Sequence, residues 1–301
     1  MFASLNNQDR CGRGHSSSVF RIRSRLGFSR LELVVVTAII SFLCGLSVSY
    51  LRGLSLKSKA TVCRENLRQL SLGMLLYINE SDGRLPYASL VQNTRSQSTW
   101  DTLVSPAVRS QLKSPDPNVA APPQSKVNEL LLCPADRVKP ADWAAKYKLR
   151  RRTYAMPQHD MRQANWPPGP DNATGVGLWW SFGSKGTNQP SSLIYNAEEP
   201  TKQASVRTGM ILQPKATILL AEQAKTNNIV ANGQGSTINC AADHLDTALL
   251  PLKNYHQGKF NYLMVDGHVE FLSPDQTVGA TGEAGDNPRK HLGMWTIRAK
   301  D

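Results

Sequence analysis

One stretch limits this chain more than any other: the uncharged run from Leu33 to Leu51, dominated by Val, Ile and Leu. Apolar on every side, such a segment cannot settle as an ordinary half-buried surface helix and needs nonpolar surroundings all round. As a helix it covers roughly 30 Å at about 1.5 Å per residue, the thickness of a hydrocarbon core. The sequence therefore predicts a transmembrane helix. Arg10, Arg13, Arg21, Arg23 and Arg25 precede it against only Asp9, an asymmetry that keeps the N-terminal side cytoplasmic and sends the rest across. No small-residue cleavage pattern follows Leu51, where the chain continues Arg52-Gly53-Leu54.

The helical pattern continues past the apolar run. Leu54 to Glu80 contains no proline, and Cys63, Leu67, Leu70, Met74 and Tyr77 recur on one face, with Arg64, Glu65 and Arg68 off it. Ser81-Asp82-Gly83 has turn chemistry and Pro86 bars a return to helix. A helix from about Ser29 to Asn79 is expected, its second half facing a globular head.

The residues that open this helix carry a resemblance. Gly27-Phe28-Ser29-Arg30-Leu31-Glu32 resembles the leader of type IV prepilins and type II secretion pseudopilins. The resemblance implies that a membrane prepilin peptidase cuts after Gly27 and that the new N-terminal Phe28 is methylated. It also implies that Glu32 neutralises the amine of Phe28 on a neighbouring subunit; a carboxylate at the edge of an apolar helix is costly without a partner. Arg30 departs from the pattern, which usually has an apolar residue there. The expected organisation is a leader at 1–27, a transmembrane and assembly helix at 28–80, and a head at 81–301. The location implied is the bacterial inner membrane, single-pass, with the head in the periplasm.

The 301 residues carry a formal charge of +12, of which about +8 remains beyond Gly27. That balance permits attraction to DNA or an acidic polymer. Three cysteines, Cys63, Cys133 and Cys240, lie beyond the apolar run, and no Cys-x-x-Cys spacing occurs. Gly-x-Ser-x-Gly, His-Glu-x-x-His and phosphate-loop patterns are absent. No catalytic residue is assigned.

Residues 88–127 are rich in Ser, Pro, Gln and Asn and read as an irregular surface excursion. Leu130–Cys133 and Ala216–Ala221 read as strands. The stretch 157–210 is mostly turn-forming around Trp166, Trp179 and Trp180 and yields no organisation. Phe260–Val265 and His268–Leu272 flank Asp266-Gly267, a two-residue turn suited to type I′ geometry. That register pairs Val265 with His268, Met264 with Val269 and Tyr262 with Phe271. Phe260, Tyr262, Met264, Val269 and Phe271 would then share one face.

A second resemblance spans most of residues 27–297. His256 followed after nine residues by Asp266-Gly267 is similar to the H-X9-DG signature of bacterial pseudopilin-like proteins with an uncharacterised head. Cys63 before Asn66-Leu67, Tyr77, Leu85-Pro86, Cys133-Pro134-Ala135-Asp136, Thr153-Tyr154-Ala155-Met156, Glu222 and Trp295-Thr296 follow in the same order as that family's elements. The fold implied is pilin-like α+β: a long N-terminal transmembrane helix packed on a β-rich head with an antiparallel sheet. Within it, a Cys63–Cys133 disulfide would staple the helix stripe to the head; two buried free thiols are the alternative.

Two metal readings remain open. His256, His268, Asp266, Glu270 and Glu222 lie near the hairpin, and two histidines with a carboxylate suit zinc; a purely structural role for His256, bonded to the turn or to Asp266, is the other reading. Glu283, Asp286 and Asn287 are oxygen ligands of the kind Ca²⁺ takes, and no other cofactor is expected. The function expected is that of a structural pseudopilin-like subunit, its partners the prepilin peptidase, other such subunits and the inner membrane. The alternatives are an anchored module that binds nucleic acid or an acidic polymer, and a metal-dependent enzyme.

Overall fold

A computed structural model describes residues 29–93, 96–113, 120, 122–159, 175–181, 205–223, 225–233, 235–238, 256, 258–279 and 293–297. Gly27, Phe28, Trp166, Cys240, Glu283, Asp286 and Asn287 lie outside them. The chain divides into two compact units, Met1–Leu51 and Arg52–Asp301, and helix α1, Arg30–Glu80, contributes to each.

In the first unit, α1 begins on a capping box. The Ser29 N–H donates to Glu32 Oε2 at 2.8 Å, and the Glu32 N–H donates to Ser29 Oγ at 3.2 Å. Two otherwise orphaned donors are satisfied at the helix start. Downstream, Thr37 and Ser41 hydroxyls donate to the carbonyls of Val34 and Thr37 at 2.9 and 2.8 Å, which hides polar groups inside an apolar segment. Leu31, Val34, Ile39, Ile40 and Phe42 are all exposed.

Among the described residues, no helix is long and apolar enough to cross a membrane. The expected transmembrane helix over Leu33–Leu51 is corrected on this finding, and with it the single-pass inner-membrane location and periplasmic head.

In the second unit, α1 buries one stripe: Cys63, Leu67, Leu70, Met74 and Ile78, with Tyr77 half-buried beside it. The helix stops where Gly83, in the left-handed region at φ 70°, donates its N–H to the Ile78 carbonyl at 2.9 Å. Then come β1 (Ser89–Asn93), β2 (Ser96–Thr99), α2 (Trp100–Gln111), α3 (Gln124–Leu130), α4 (Asp142–Lys146), β3 (Tyr154–His159), β4 (Gly177–Ser181), β5 (Ile218–Glu222), β6 (Thr237–Ile238), β7 (Phe260–Met264) and β8 (Val269–Leu272).

The strands form one sheet in the order β2-β1-β4-β3-β5-β7-β8, with β6 paired to β3 off this path. The sheet is mixed, not antiparallel: β1 with β4, β3 with β4 and β3 with β6 run parallel. Crossings through the long intervening segments make parallel pairing possible, and no local pattern announces it.

Two core clusters are built on the sheet. One gathers Leu67, Leu70 and Met74 of α1, Val104 and Val108 of α2, and Leu220 and Leu263. The other gathers the Cys63 and Cys133 sulfurs with Ile218, Phe260, Tyr262, Met264 and Trp295. Strands β5 and β7 are buried along their whole length, so their sequences read as continuous apolar runs. Gly73 marks where α1 meets α2: a Cβ there would lie 2.3 Å from a Val108 methyl.

Three local expectations change. The Pro- and Ser-rich stretch 88–127 is no single excursion: it forms β1, β2, α2 and α3. Trp100, Val104, Ala107 and Val108 bury one face of α2, and the Thr99 N–H donates to Thr102 Oγ1 at 2.9 Å at its start. Leu130–Cys133 is no strand; it leaves the end of α3 through a turn. The hairpin β7–β8 forms one residue off the expected register, pairing Tyr262 with Glu270 and Leu263 with Val269. The Gly267 N–H donates to the Met264 carbonyl at 2.9 Å with φ 95°, a three-residue loop closed by a left-handed glycine instead of a type I′ turn. The slip puts Val269 and Phe271 on the opposite face from Tyr262.

Candidate functional site

Four chemistry-bearing side chains converge at the end of β5. Cys63 on α1 and Cys133 after α3 form a disulfide, Cα atoms 5.1 Å apart across a separation of 70 residues. His256 Nε2 lies 3.3 Å from Cys133 Sγ and 3.2 Å from Glu222 Oε1. Glu222 closes β5, where its carboxylate accepts from the Asn261 N–H at 2.9 Å and from the Asn261 side-chain amide at 3.3 Å. Cys63, Cys133 and Glu222 are 0% exposed and His256 is 3%.

Each piece is placed by its neighbours. The Cys133 N–H donates to Thr153 Oγ1 at 2.9 Å, and the Ala135 N–H donates to Cys133 Sγ at 3.4 Å. Asp136, the acidic residue of the Cys-Pro-Ala-Asp turn, takes the Thr153 hydroxyl at 2.7 Å and forms a buried ion pair with Arg151. Asn66 on α1 donates to the Leu132 carbonyl at 3.3 Å, beside the disulfide. Tyr154 donates its hydroxyl to the Cys63 carbonyl at 3.4 Å. Burial, reinforced by the charge of Glu222, raises the Tyr154 phenol well above its ordinary value and raises Tyr262 likewise, so both stay neutral around the carboxylate. His256 is held with φ at 45°, a region that non-glycine residues rarely adopt.

The H-X9-DG residues have separate tasks here. His256 joins the disulfide and Glu222. Asp266 and Gly267 turn the hairpin and dock it: Ser71 on α1 donates to the Gly267 carbonyl at 2.9 Å, and a Cβ on Gly267 would lie 2.8 Å from the Ser71 hydroxyl. Asp266 Oδ1 takes the His268 N–H at 3.2 Å and the His268 ring, whose Nε2 reaches Glu270 Oε1 at 3.0 Å. Partial burial lowers the His268 pKa, but the hydrogen bonds its ring donates to Glu270 and Asp266 outweigh it and raise the value.

Among the described residues, one group of metal-capable ligand atoms lies within 4.8 Å of one another: Cys63, Cys133, Glu222 and His256. Asp266, His268 and Glu270 are outside it, so the two-histidine zinc arrangement is not the one the fold assembles. The Ca²⁺ candidates Glu283, Asp286 and Asn287 lie outside the described residues.

Sequence reasoning missed a second buried network. Arg152 is fully buried, paired with Asp101, donating to Asn228 Oδ1 at 2.6 Å and the Asn232 carbonyl at 2.9 Å, with its guanidinium 5.5 Å from the Trp100 ring centroid. Burial pulls its pKa down while Asp101 pushes it back up. The adjacent arginines 151 and 152 had no periodic context to mark them as interior. Glu32 had a legible local role as well, because Ser29-x-x-Glu32 before an apolar run is a capping-box pattern.

A scan against protein-family models, a search of curated proteins and a search of solved structures each find no match to this chain.

Proposed function

We propose that the chain is a structural, pseudopilin-like subunit that assembles through the first half of α1 and is not an enzyme. The observation that carries this reading is the contrast along one helix. Residues from Cys63 to Ile78 bury a single stripe, while Leu31 to Leu43 expose apolar side chains on all sides. A helix of that kind requires a nonpolar partner, and the same segment of neighbouring copies supplies one of matching chemistry. The prepilin-like sequence at Gly27-Phe28 supports processing by a prepilin peptidase and methylation of Phe28. The disulfide cluster supports a structural role, since its four residues are buried in the interior and tie α1 to the rest of the second unit. In an assembly, Glu32 exchanges its capping bond to the Ser29 N–H for the amine of a neighbouring Phe28.

Cys44 provides the test, being an exposed free thiol on the apolar half of α1. The full chain is co-expressed with a prepilin peptidase, then sequenced from its N-terminus and oxidised with copper phenanthroline. The reading expects a methyl-Phe28 start and Cys44-linked dimers that Cys44→Ser abolishes. An unprocessed chain with no Cys44-linked species overturns it.

A further inference from the structure

We propose that Cys63, Cys133, His256 and Glu222 form a zinc site when their disulfide is reduced, so that the staple has two closed states, one covalent and one metal-bound. All four ligand atoms already lie within 4.8 Å of one another, and a tetrahedral zinc site with bonds of 2.0–2.3 Å needs ligand atoms about 3.3–3.8 Å apart. His256 Nε2 is already 3.3 Å from one sulfur and 3.2 Å from the carboxylate oxygen. The two sulfurs, bonded to each other in the disulfide, must part to reach that spacing.

The donor set is a zinc set: two thiolates, one imidazole and one carboxylate, with no ligand left for water, as in closed structural sites. Its outer layer is present too. Glu222 is oriented by two hydrogen bonds from Asn261, and Cys133 by Thr153 and the Ala135 N–H; such partners fix ligand geometry. Formal charge agrees. The disulfide carries no formal charge. In the metal state, two thiolates balance the two positive charges of Zn²⁺, so the sulfur pair with its metal is formally neutral as well. A pocket built for one state is therefore electrostatically suited to the other. The reduced, metal-free state alone leaves two thiols and a buried carboxylate without a common centre.

The exchange balances. A dithiol donates two electrons and two protons, becomes a disulfide itself, and leaves Cys63 and Cys133 as thiols. Zn²⁺ then binds both sulfurs and two protons leave. In reverse, a disulfide-class oxidant accepts two electrons from the thiolates, its own S–S bond breaks to give two thiols with two protons from water, the Cys63–Cys133 bond re-forms and Zn²⁺ departs.

The test uses the full chain, oxidised or reduced with a phosphine, which becomes its oxide. Each form is equilibrated with Zn²⁺ or Co²⁺ and freed of excess metal by gel filtration. The expected result is about one zinc per reduced chain and less than about a tenth per oxidised chain. The reduced cobalt form should show thiolate-to-cobalt charge transfer and tetrahedral ligand-field bands. Glu222→Gln and His256→Ala should each weaken zinc binding at least about 10-fold. Near-ultraviolet circular dichroism follows folding. If reduction loosens the fold, added zinc must restore it, because binding to such a site is coupled to folding. Equal metal in both redox forms, reduced protein without metal, or a reduced chain that zinc fails to refold would each overturn the proposal.

Discussion

Two stretches of α1 can be set side by side. Residues 31–43 and 63–78 are both helical and both rich in large aliphatic side chains, yet the first is exposed throughout and the second hides one stripe. The difference lies in the polar residues. Arg64, Glu65 and Arg68 leave 63–78 one face to bury, whereas 31–43 after Glu32 has no charged residue to choose a face. A helix learns its orientation from where its charges are, as much as from where its leucines are.

The largest expected effect comes from removing that orientation's reward. Leu70→Ala in the stripe should cost about 2–5 kcal/mol, as for buried leucines in well-packed cores. Ile39→Ala in the exposed half should stay within about 0.5 kcal/mol in the unassembled chain. Denaturant unfolding of both variants checks the contrast, and similar losses would erase it. A smaller effect belongs to the start of the helix. Ser29→Ala removes the acceptor of the Glu32 N–H and should cost about 1 kcal/mol locally. Amide exchange should quicken over 30–36 and leave 63–78 unchanged.

The smallest effect tests the hairpin that leans on the stripe half. The folded-state pKa of His268 is raised above its unfolded value. Its contribution is therefore fully present below about pH 6.5 and lost as pH rises through the raised folded value. The side chain is 40% exposed, and solvent screening limits the contribution to under about 1 kcal/mol. His268→Gln should lower the unfolding midpoint at pH 5.5, do so less in high salt, and match wild type at pH 9. A deficit that grows with pH would contradict this arrangement.

Much of the second unit was legible where residues carry their own rule. The stripe from Cys63 to Met74, the stop at Ser81–Gly83 and the existence of the final hairpin follow from periodicity and turn chemistry. The hairpin's register was not legible, because both faces of β7 are buried and the period-2 pattern cannot choose between them. Asp-Gly fits a two-residue turn and a three-residue loop equally well. Leu130–Cys133 failed as a strand since four apolar residues look alike in a strand and at a helix end. Parallel pairing of β1 with β4 and the burial of Arg151 and Arg152 depend on partners dozens of residues away. At the candidate site, each of the four residues was visible as a type. The convergence of Glu222 with His256 was not, because it requires the β5–β7 pairing to exist first.

The spacing between His256 and Asp266-Gly267 has a consequence as a ruler. At one end, His256 touches the sulfur bonded to Cys63; at the other, Gly267 accepts from Ser71. Cys63 and Ser71 stand about 12 Å apart along the same helix at ~1.5 Å per residue. The nine residues between the histidine and the aspartate thus measure a fixed span between two mooring points. Adding or deleting one residue there would leave the chain able to reach either mooring, but not both.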